Sequence, residues 1–387
     1  MPDWYRIKKI YVGQDQVRPK EPETLTISWE EKADMSSGRT YSDDAAWLTA
    51  WDSVFDDFFW YSAVLLNTNW VETAEMTQSW WVFTWAMTSL GNITSWDNVM
   101  IKFPVRWIKM SKSWSIVTLS ITKKLNEPWY QYYAHCNWTL SNPWTPKDAF
   151  YLWAYEWCNA SSKLKSWSWQ SPWINLYQSN LCAIAKANNV NLGRNIVWFY
   201  QRMYVNALYM MKYWNPNSQN VVWMWYVWAN KPTTTWWTNS QTDATYGTSS
   251  TTQQMRLFWL EDRWGNAPEW LWGMYTDWSK NLYVQLSWYS WAISWWESTW
   301  VTLAHTWSYY DLSSIAWDNK WMFAPKATVN NSSYSTYYSD IVYVYASRLA
   351  QVGWHSSRWT WWGALNMEIW FTATQWDTTY WTRLMFL

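Results

Sequence analysis

Glycine is the conspicuous shortage. The 387 residues hold only 9 Gly, whereas globular chains average about 7%. Cysteine is also sparse, with Cys136, Cys158 and Cys182 lacking metal-ligand spacing, so they are expected to be buried thiols outside any disulfide. Only three histidines occur, His135, His305 and His355, and no pair four apart suggests a zinc site. Neither sign of charge dominates: Lys plus Arg and Asp plus Glu number 29 each, so no basic field argues for nucleic acid. The chain lacks an 18-residue apolar run, and no membrane span is expected. The opening "MPDWYRIKKIYVG" has no apolar h-region, which argues against a Sec signal peptide.

What the chain has instead is tryptophan, 47 of them. The excess and the shortage are complementary. Trp stands where turns need a residue with positive φ: Asn69-Trp70, Ser113-Trp114, Asn137-Trp138 and Asp277-Trp278. The doublets at 80–81, 236–237, 295–296 and 361–362 read as Gly-Gly loops. In "FYQRMYVNALYMMKYWNPNSQ", Phe199, Met203, Ala207, Leu208 and Met211 mark an apolar helix face, and Trp214 falls where a helix C′ glycine belongs. A gene whose UGA codons specify Gly, translated with UGA as Trp, produces this pattern. Most tryptophans are therefore expected to stand for glycine, Trp259 and Trp272 among them, whereas Trp264 and Trp270 fit as real anchors.

Three regions are expected. Residues 1–22 form a small β hairpin around Ile7, Ile10, Val12 and Val17 that must dock on something, because so small a hairpin cannot stand alone. Residues 23–95 read as a small mixed α/β region. It comprises a strand at "TLTIS", a short helix carrying Val54, Phe55, Phe58 and Phe59, and a strand at "SAVLL". The acidic group Asp52, Asp56 and Asp57 is taken as the solvated side of that helix rather than a metal site. Residues 96–387 turn to β. The stretch "NVMIKFPVRWIKMSKSWSIVTLSITKK" gives two or three strands, a turn at Ser113-Trp114, and Val117, Leu119 and Ile121 on one face. "KDAFYLWAYEW" adds another strand.

The phrase "WGNAPEW", Trp264 to Trp270, resembles the W-G-N-x-x-E-W phrase of the formylglycine-generating-enzyme (sulfatase-modifying-factor) branch of the C-type-lectin-like fold. Its logic is local: Trp264 and Trp270 pack, Gly265 turns, Asn266 satisfies buried backbone groups, and Glu269 bonds a neighbouring loop. With glycine restored, the runs "DAAWLTAWDSVFDDFF", "MIKFPVRWIKMSKSW", "YAHCNW", "FYLWAYEW", "SSKLKSWSWQSP", "LEDRWGNAPEW" and "YASRLAQVGW … TRLMFL" resemble, in order, phage and prophage tail-associated structural proteins. The opening "IKKIYVGQDQVRP" is similar to the N-terminal segment of such tail proteins.

The resemblance implies an α+β, loop-rich C-type-lectin-like domain over 96–387, behind the hairpin and the mixed region. It also implies a non-enzymatic tail protein that binds a host or cell-surface receptor, protein or glycan. Related domains are the variable products of diversity-generating retroelements, and a rigid core suits that use. The ligand-display segment would run over 353–380, with His355, Ser356, Ser357, Arg358, Thr360, Asn366, Glu368, Gln375, Asp377 and Thr379 as contacts. Asn366 and Glu368 would share one strand face, opposite Met367. The location implied is a virion tail or a cell surface, with other tail or surface proteins met through the N-terminal segment and room for a homo-oligomer. The alternative is a bacterial surface-exposed lectin-like protein diversified by a retroelement.

An oxidase of the same branch uses a late cysteine pair with copper. Here all three cysteines precede "WGNAPEW", so that activity does not carry over, and no cofactor, metal or catalytic residue is expected. No nucleophile-elbow motif supports a Ser/His/Asp triad. His135 beside Cys136 is a weak pair, because a strand would point the two side chains to opposite faces.

Overall fold

The computed structural model describes residues 10–12, 15–17, 22–32, 40–43, 45, 53–67, 71–76, 98–136, 146–156, 158–160, 163–167, 171–172, 183–184, 196–213, 215, 218–222, 233–235, 238, 243–248, 253–266, 268–285, 296–303, 310–329, 338, 340–353, 363–372 and 385–386. Among them the chain is mostly β, with few helices. Strands β1 (Ile10–Val12) and β2 (Asp15–Val17) make a hairpin with Ile10 opposite Val17. Next come β3 (Thr24–Glu30), β4 (Thr40–Asp43), helix α1 (Ser53–Phe59), β5 (Ser62–Leu66) and β6 (Glu72–Met76). Strands β7 (Asn98–Pro104), β8 (Trp107–Ser113), β9 (Ile116–Thr122), β10 (Ala149–Trp153), β11 (Cys158–Ala160) and β12 (Lys163–Lys165) lead to helices α2 (Phe199–Tyr213) and α3 (Ser218–Val222). The later strands are β13 (Arg256–Leu257), β14 (Leu260–Glu261), β15 (Glu269–Thr276), β16 (Asn281–Gln285), β17 (Trp296–Thr302) and β18 (Tyr310–Ile315). The chain closes on β19 (Pro325–Val329), β20 (Ile341–Val344), β21 (Arg348–Val352), β22 (Met367–Phe371) and β23 (Met385–Phe386).

Three larger sheets result, ordered β4-β3-β9-β8, β23-β10-β7-β5-β6 and β17-β16-β15-β21-β22-β20-β18-β19. The first follows from strict alternation. Leu25, Ile27 and Trp29 lie opposite Ile121, Leu119 and Val117, all buried. Its other face carries hydroxyl pairs, Thr24 with Thr122, Thr26 with Ser120 and Ser28 with Thr118, at 2.8–2.9 Å. Such cross-strand pairs hold the register, because a one-residue slip would turn every apolar side chain outward.

The boundary expected near residue 95 runs through this core. Strand β3 pairs with β9, and β5 with β7, so residues 23–95 and 96–387 share sheets and one apolar cluster. Glu31 adds a polar tie. It accepts hydrogen bonds from Ser314 Oγ at 2.9 Å, the Ile315 amide at 3.2 Å and Tyr338 OH at 2.6 Å, and it pairs with Lys112.

Helix α2 passes through the interior. Sequence periodicity marks one apolar face, but every residue of α2 is buried, Arg202 and Lys212 included. The helix therefore touches several layers. Tyr204 OH donates to the Pro104 carbonyl at 2.9 Å, and Gln201 Nε2 donates to the Ala134 carbonyl at 2.8 Å. Lys212 pairs with Asp56, which also accepts from Tyr61 OH. Asp56 is thus an ion-pair partner rather than a solvated face, while Asp57 is exposed and Asp52 lies outside the described residues.

Twelve non-glycine residues have positive φ among those described, and five are tryptophan: Trp60, Trp114, Trp129, Trp259 and Trp300. The expectations at Trp70, Trp138, Trp214 and the doublets, apart from Trp296 at the start of β17, lie outside the described residues. Two expected positions differ. In the turn after Asp277 the positive φ falls on Lys280, not on Trp278. Trp272 is buried in β15 without positive φ, its Nε1 donates to Gln285 Oε1 at 2.9 Å, and the left-handed residue is its neighbour Gly273. Gly273 is also a close approach, because a Cβ there would overlap the Trp198 indole.

Replacing buried Ile121 by Ala should lower stability by about 2–5 kcal/mol, whereas Ile116→Ala, at an exposed strand end, should change it by about 0.5 kcal/mol or less. Urea midpoints measure both, and equal losses would contradict this register.

Candidate functional site

The "WGNAPEW" phrase is built around buried charge. Trp264 and Trp270 are fully enclosed, and Trp264 meets the Tyr209 ring of α2 edge-on at 6.2 Å. Gly265 and Asn266 both have positive φ, 86° and 55°, which turns the chain sharply before β15. Asn266 Oδ1 accepts the Thr233 amide at 2.8 Å, and its Nδ2 donates to the Thr233 carbonyl at 3.3 Å. That nitrogen also donates to Glu156 Oε2 at 2.6 Å and Asp262 Oδ2 at 2.9 Å. One short amide thus bonds the Thr233 backbone, the role its place in the phrase suggested, and its Nδ2 also lies within reach of two buried carboxylates.

Glu269 opens β15 at zero exposure. Its Oε2 lies 3.2 Å from Arg263 Nη1 and 3.9 Å from Arg202 Nη1. A buried carboxylate needs such partners, because desolvation of an unpaired charge costs several kcal/mol. Arg202 does more than neutralise. Its Nη1 donates to the Arg263 carbonyl at 3.2 Å and its Nη2 to the Ala364 carbonyl at 2.9 Å. The helix, the phrase and the chain after residue 362 therefore meet at one guanidinium.

Other groups fix the same stretch. The Ala364 amide donates to Ser218 Oγ of α3 at 3.0 Å, and the Leu365 amide donates to Asp340 Oδ2 at 2.7 Å. Asn366 Nδ2 donates to the Ile341 carbonyl at 2.8 Å. At the end of β21, Gly353 turns with φ 65° against the backbone of Arg263 and Trp264. A Cβ at Gly353 would stand 3.2 Å from the Arg263 carbonyl oxygen. Burial drives the Asp340 carboxyl up to about 8, partly countered by the Leu365 and Gly363 amides and by Arg202.

Eight of the ten expected contact residues, His355, Ser356, Ser357, Arg358, Thr360, Gln375, Asp377 and Thr379, lie outside the described residues. The other two are interior, and this corrects the expectation for them. Asn366 is 1% and Glu368 2% exposed, and Met367 on the opposite side is equally enclosed. The reason is position: β22 lies inside the eight-stranded sheet, between β21 and β20, with both faces covered. Alternation alone does not tell such a strand from an edge strand. Arg202, Ser218 and Asp340 were missed. Arg202 had a signal, since α2 carries aromatics on every side and only two charges in 15 residues.

The thiol and imidazole candidates have structural surroundings. His135 ends a short 3₁₀ turn, Tyr133–His135, rather than sitting in a strand, and its Nε2 lies 3.1 Å from the Phe103 carbonyl. Burial among Phe150 and Tyr204 pushes its pKa down to about 3, so the ring is neutral near pH 7. Cys136 Sγ donates to the Tyr132 carbonyl at 3.7 Å. Burial pushes the Cys158 thiol up to about 12, the opposite of an activated nucleophile. Both are thiols outside any disulfide, and Cys182 lies outside the described residues. Among the described residues no group of three or more His, Cys, Asp or Glu is set to hold a metal, and no helix is long and apolar enough to cross a membrane. Comparison with protein-family models and with curated proteins gives no match.

Asp340 gives a signed pH dependence. Its folded pKa of about 8 stands above the unfolded carboxylate value of about 4, so its contribution is fully present below about pH 4. That contribution is lost as pH rises towards 8. Asp340→Asn should therefore gain stability relative to the parent across that window, on the order of a few kcal/mol at most. Thermal melts from pH 4 to 9 measure it, and a constant difference would show that Asp340 titrates normally.

Proposed function

We propose that this chain is a non-enzymatic receptor- or ligand-binding protein of a phage or prophage tail, with a C-type-lectin-like fold that presents its C-terminal segment to a host-surface protein or glycan. The observation that carries the reading is the anchoring of residues 353 and 364. Gly353 packs on the Arg263–Trp264 backbone, and Ala364 is held by Arg202, which also bonds the Arg263 carbonyl. Both ends of the intervening ten residues thus rest on one buried junction. Fixed ends on a rigid core are what a display segment requires.

The order of matching runs along residues 40–387 supports the same reading, as does the "WGNAPEW" phrase with its buried Asn266 and Glu269. The N-terminal hairpin, β1 with β2, would serve as the attachment to neighbouring tail or surface proteins. With Asn366 and Glu368 interior, the contacts reduce to His355, Ser356, Ser357, Arg358, Thr360, Gln375, Asp377 and Thr379.

Grouped replacement of Ser356, Arg358, Gln375 and Asp377 by Ala should reduce particle adsorption on the order of tenfold or more, with the melting temperature unchanged. Glu368→Ala should instead lower stability, because it leaves a cavity beside a central strand enclosed on both faces. Unchanged adsorption in the grouped variant would rule out this contact surface.

A further inference from the structure

The five tryptophans with positive φ occupy five places, each of which selects glycine for its own reason. Trp60 ends α1: its amide donates to the Asp56 carbonyl at 2.7 Å and φ is 45°, the C′ position. Trp114 is the first of two residues linking β8 to β9, Ser113 opposite Ile116, and it alone of the pair has positive φ, 56°. That is the glycine position of a type II′ hairpin. Trp129 follows Pro128 in a turn closed by the Tyr130 amide on the Glu127 carbonyl at 3.3 Å, with φ 71°, the third residue of a type II turn. Trp259 is the second of two left-handed residues joining β13 to β14, Leu257 opposite Leu260, where a type I′ turn favours glycine. Trp300, φ 58°, lies in the irregular part of the β16–β17 pairing, where a bulge takes a left-handed residue.

Exposure separates four of these tryptophans from other aromatics in the same backbone region. Phe258 and Phe323 also have positive φ, but both rings are buried in the core. Trp60, Trp114, Trp129 and Trp300 are 67–95% exposed, so nothing gained by packing offsets the backbone strain. Trp259 is the enclosed one, with the Arg256 guanidinium 4.3 Å from its ring centroid. Buried Trp29, Trp153, Trp264 and Trp270 have no positive φ, and their backbone selects nothing.

We infer that positions 60, 114, 129, 259 and 300 are glycine in the functional polypeptide, and that tryptophan stands there because a glycine codon has been read as tryptophan. The inference does not depend on what the protein binds. Five unrelated local motifs each favour the residue without a side chain, and a shared codon is the one cause common to them. The glycines at 265, 273 and 353, all with positive φ, belong to the same backbone class.

The test compares two full-length variants, all five positions changed to Gly or all five changed to Ala. Both remove the indoles, and only Gly also removes the left-handed penalty. The Gly variant should melt several degrees above the Ala variant, and the tryptophan chain should give less soluble protein than the Gly variant. An Ala variant as stable as the Gly variant would overturn the assignment. Should none of the chains fold on expression, peptide mass mapping of the protein from its natural source decides. Glycine at the five positions supports the inference, and tryptophan there overturns it.

Discussion

A carboxylate without solvent exposure, Glu269, has to be neutralised before anything around it can be dry. Arg263 supplies the close contact and Arg202 the second charge. Because Arg202 also bonds the carbonyls of Arg263 and Ala364, one electrostatic requirement aligns α2, the start of β15 and the chain leading into β22. Guanidinium suits the task, since its fork can bond carbonyls in two directions while staying charged. Lysine, a point charge, would hold fewer of these partners.

The second constraint is the sign of φ. Tight hairpins, a helix end and a bulge recur along this chain, and each needs a residue tolerant of the left-handed region. Asn126, Asp262 and Asn266 meet that need with short polar side chains, whereas an indole does not. A scarcity of glycine in a turn-rich β protein is therefore a local backbone conflict repeated at identifiable residues. The excess of tryptophan marks where several of these conflicts sit.

Much of the strand framework was legible in the sequence. Alternation marks β9, whose Val117, Leu119 and Ile121 share an enclosed face, and β3, β5 and β10 were readable as short strand-like runs. The buried helix was found, but its environment was misread: periodicity reports the most apolar stripe and cannot say that Arg202 and Lys212 meet carboxylates inside the protein. A boundary near residue 95 looked natural where the residue pattern turns to β, yet the pairing of β3 with β9 is long-range and leaves no local trace. At the candidate site, the backbone bonds of Asn266 were readable from one phrase, whereas Glu269, expected to bond a neighbouring loop, pairs with Arg263 and with Arg202 of α2. Asp340 and Ser218 were not, because their partners are backbone amides at Leu365 and Ala364, far away in sequence. Glu368 was misjudged since a charge in a strand reads as solvated until the neighbouring strands are known.

Native-state hydrogen exchange on an Arg202→Met variant tests the junction most directly. The amides of Ala364 and Leu365 should lose protection by a larger factor than the amides of Ile101 and Leu152, which lie in a sheet Arg202 does not bond. An equal or smaller loss at 364–365 would mean that the guanidinium does not hold this part of the chain in place.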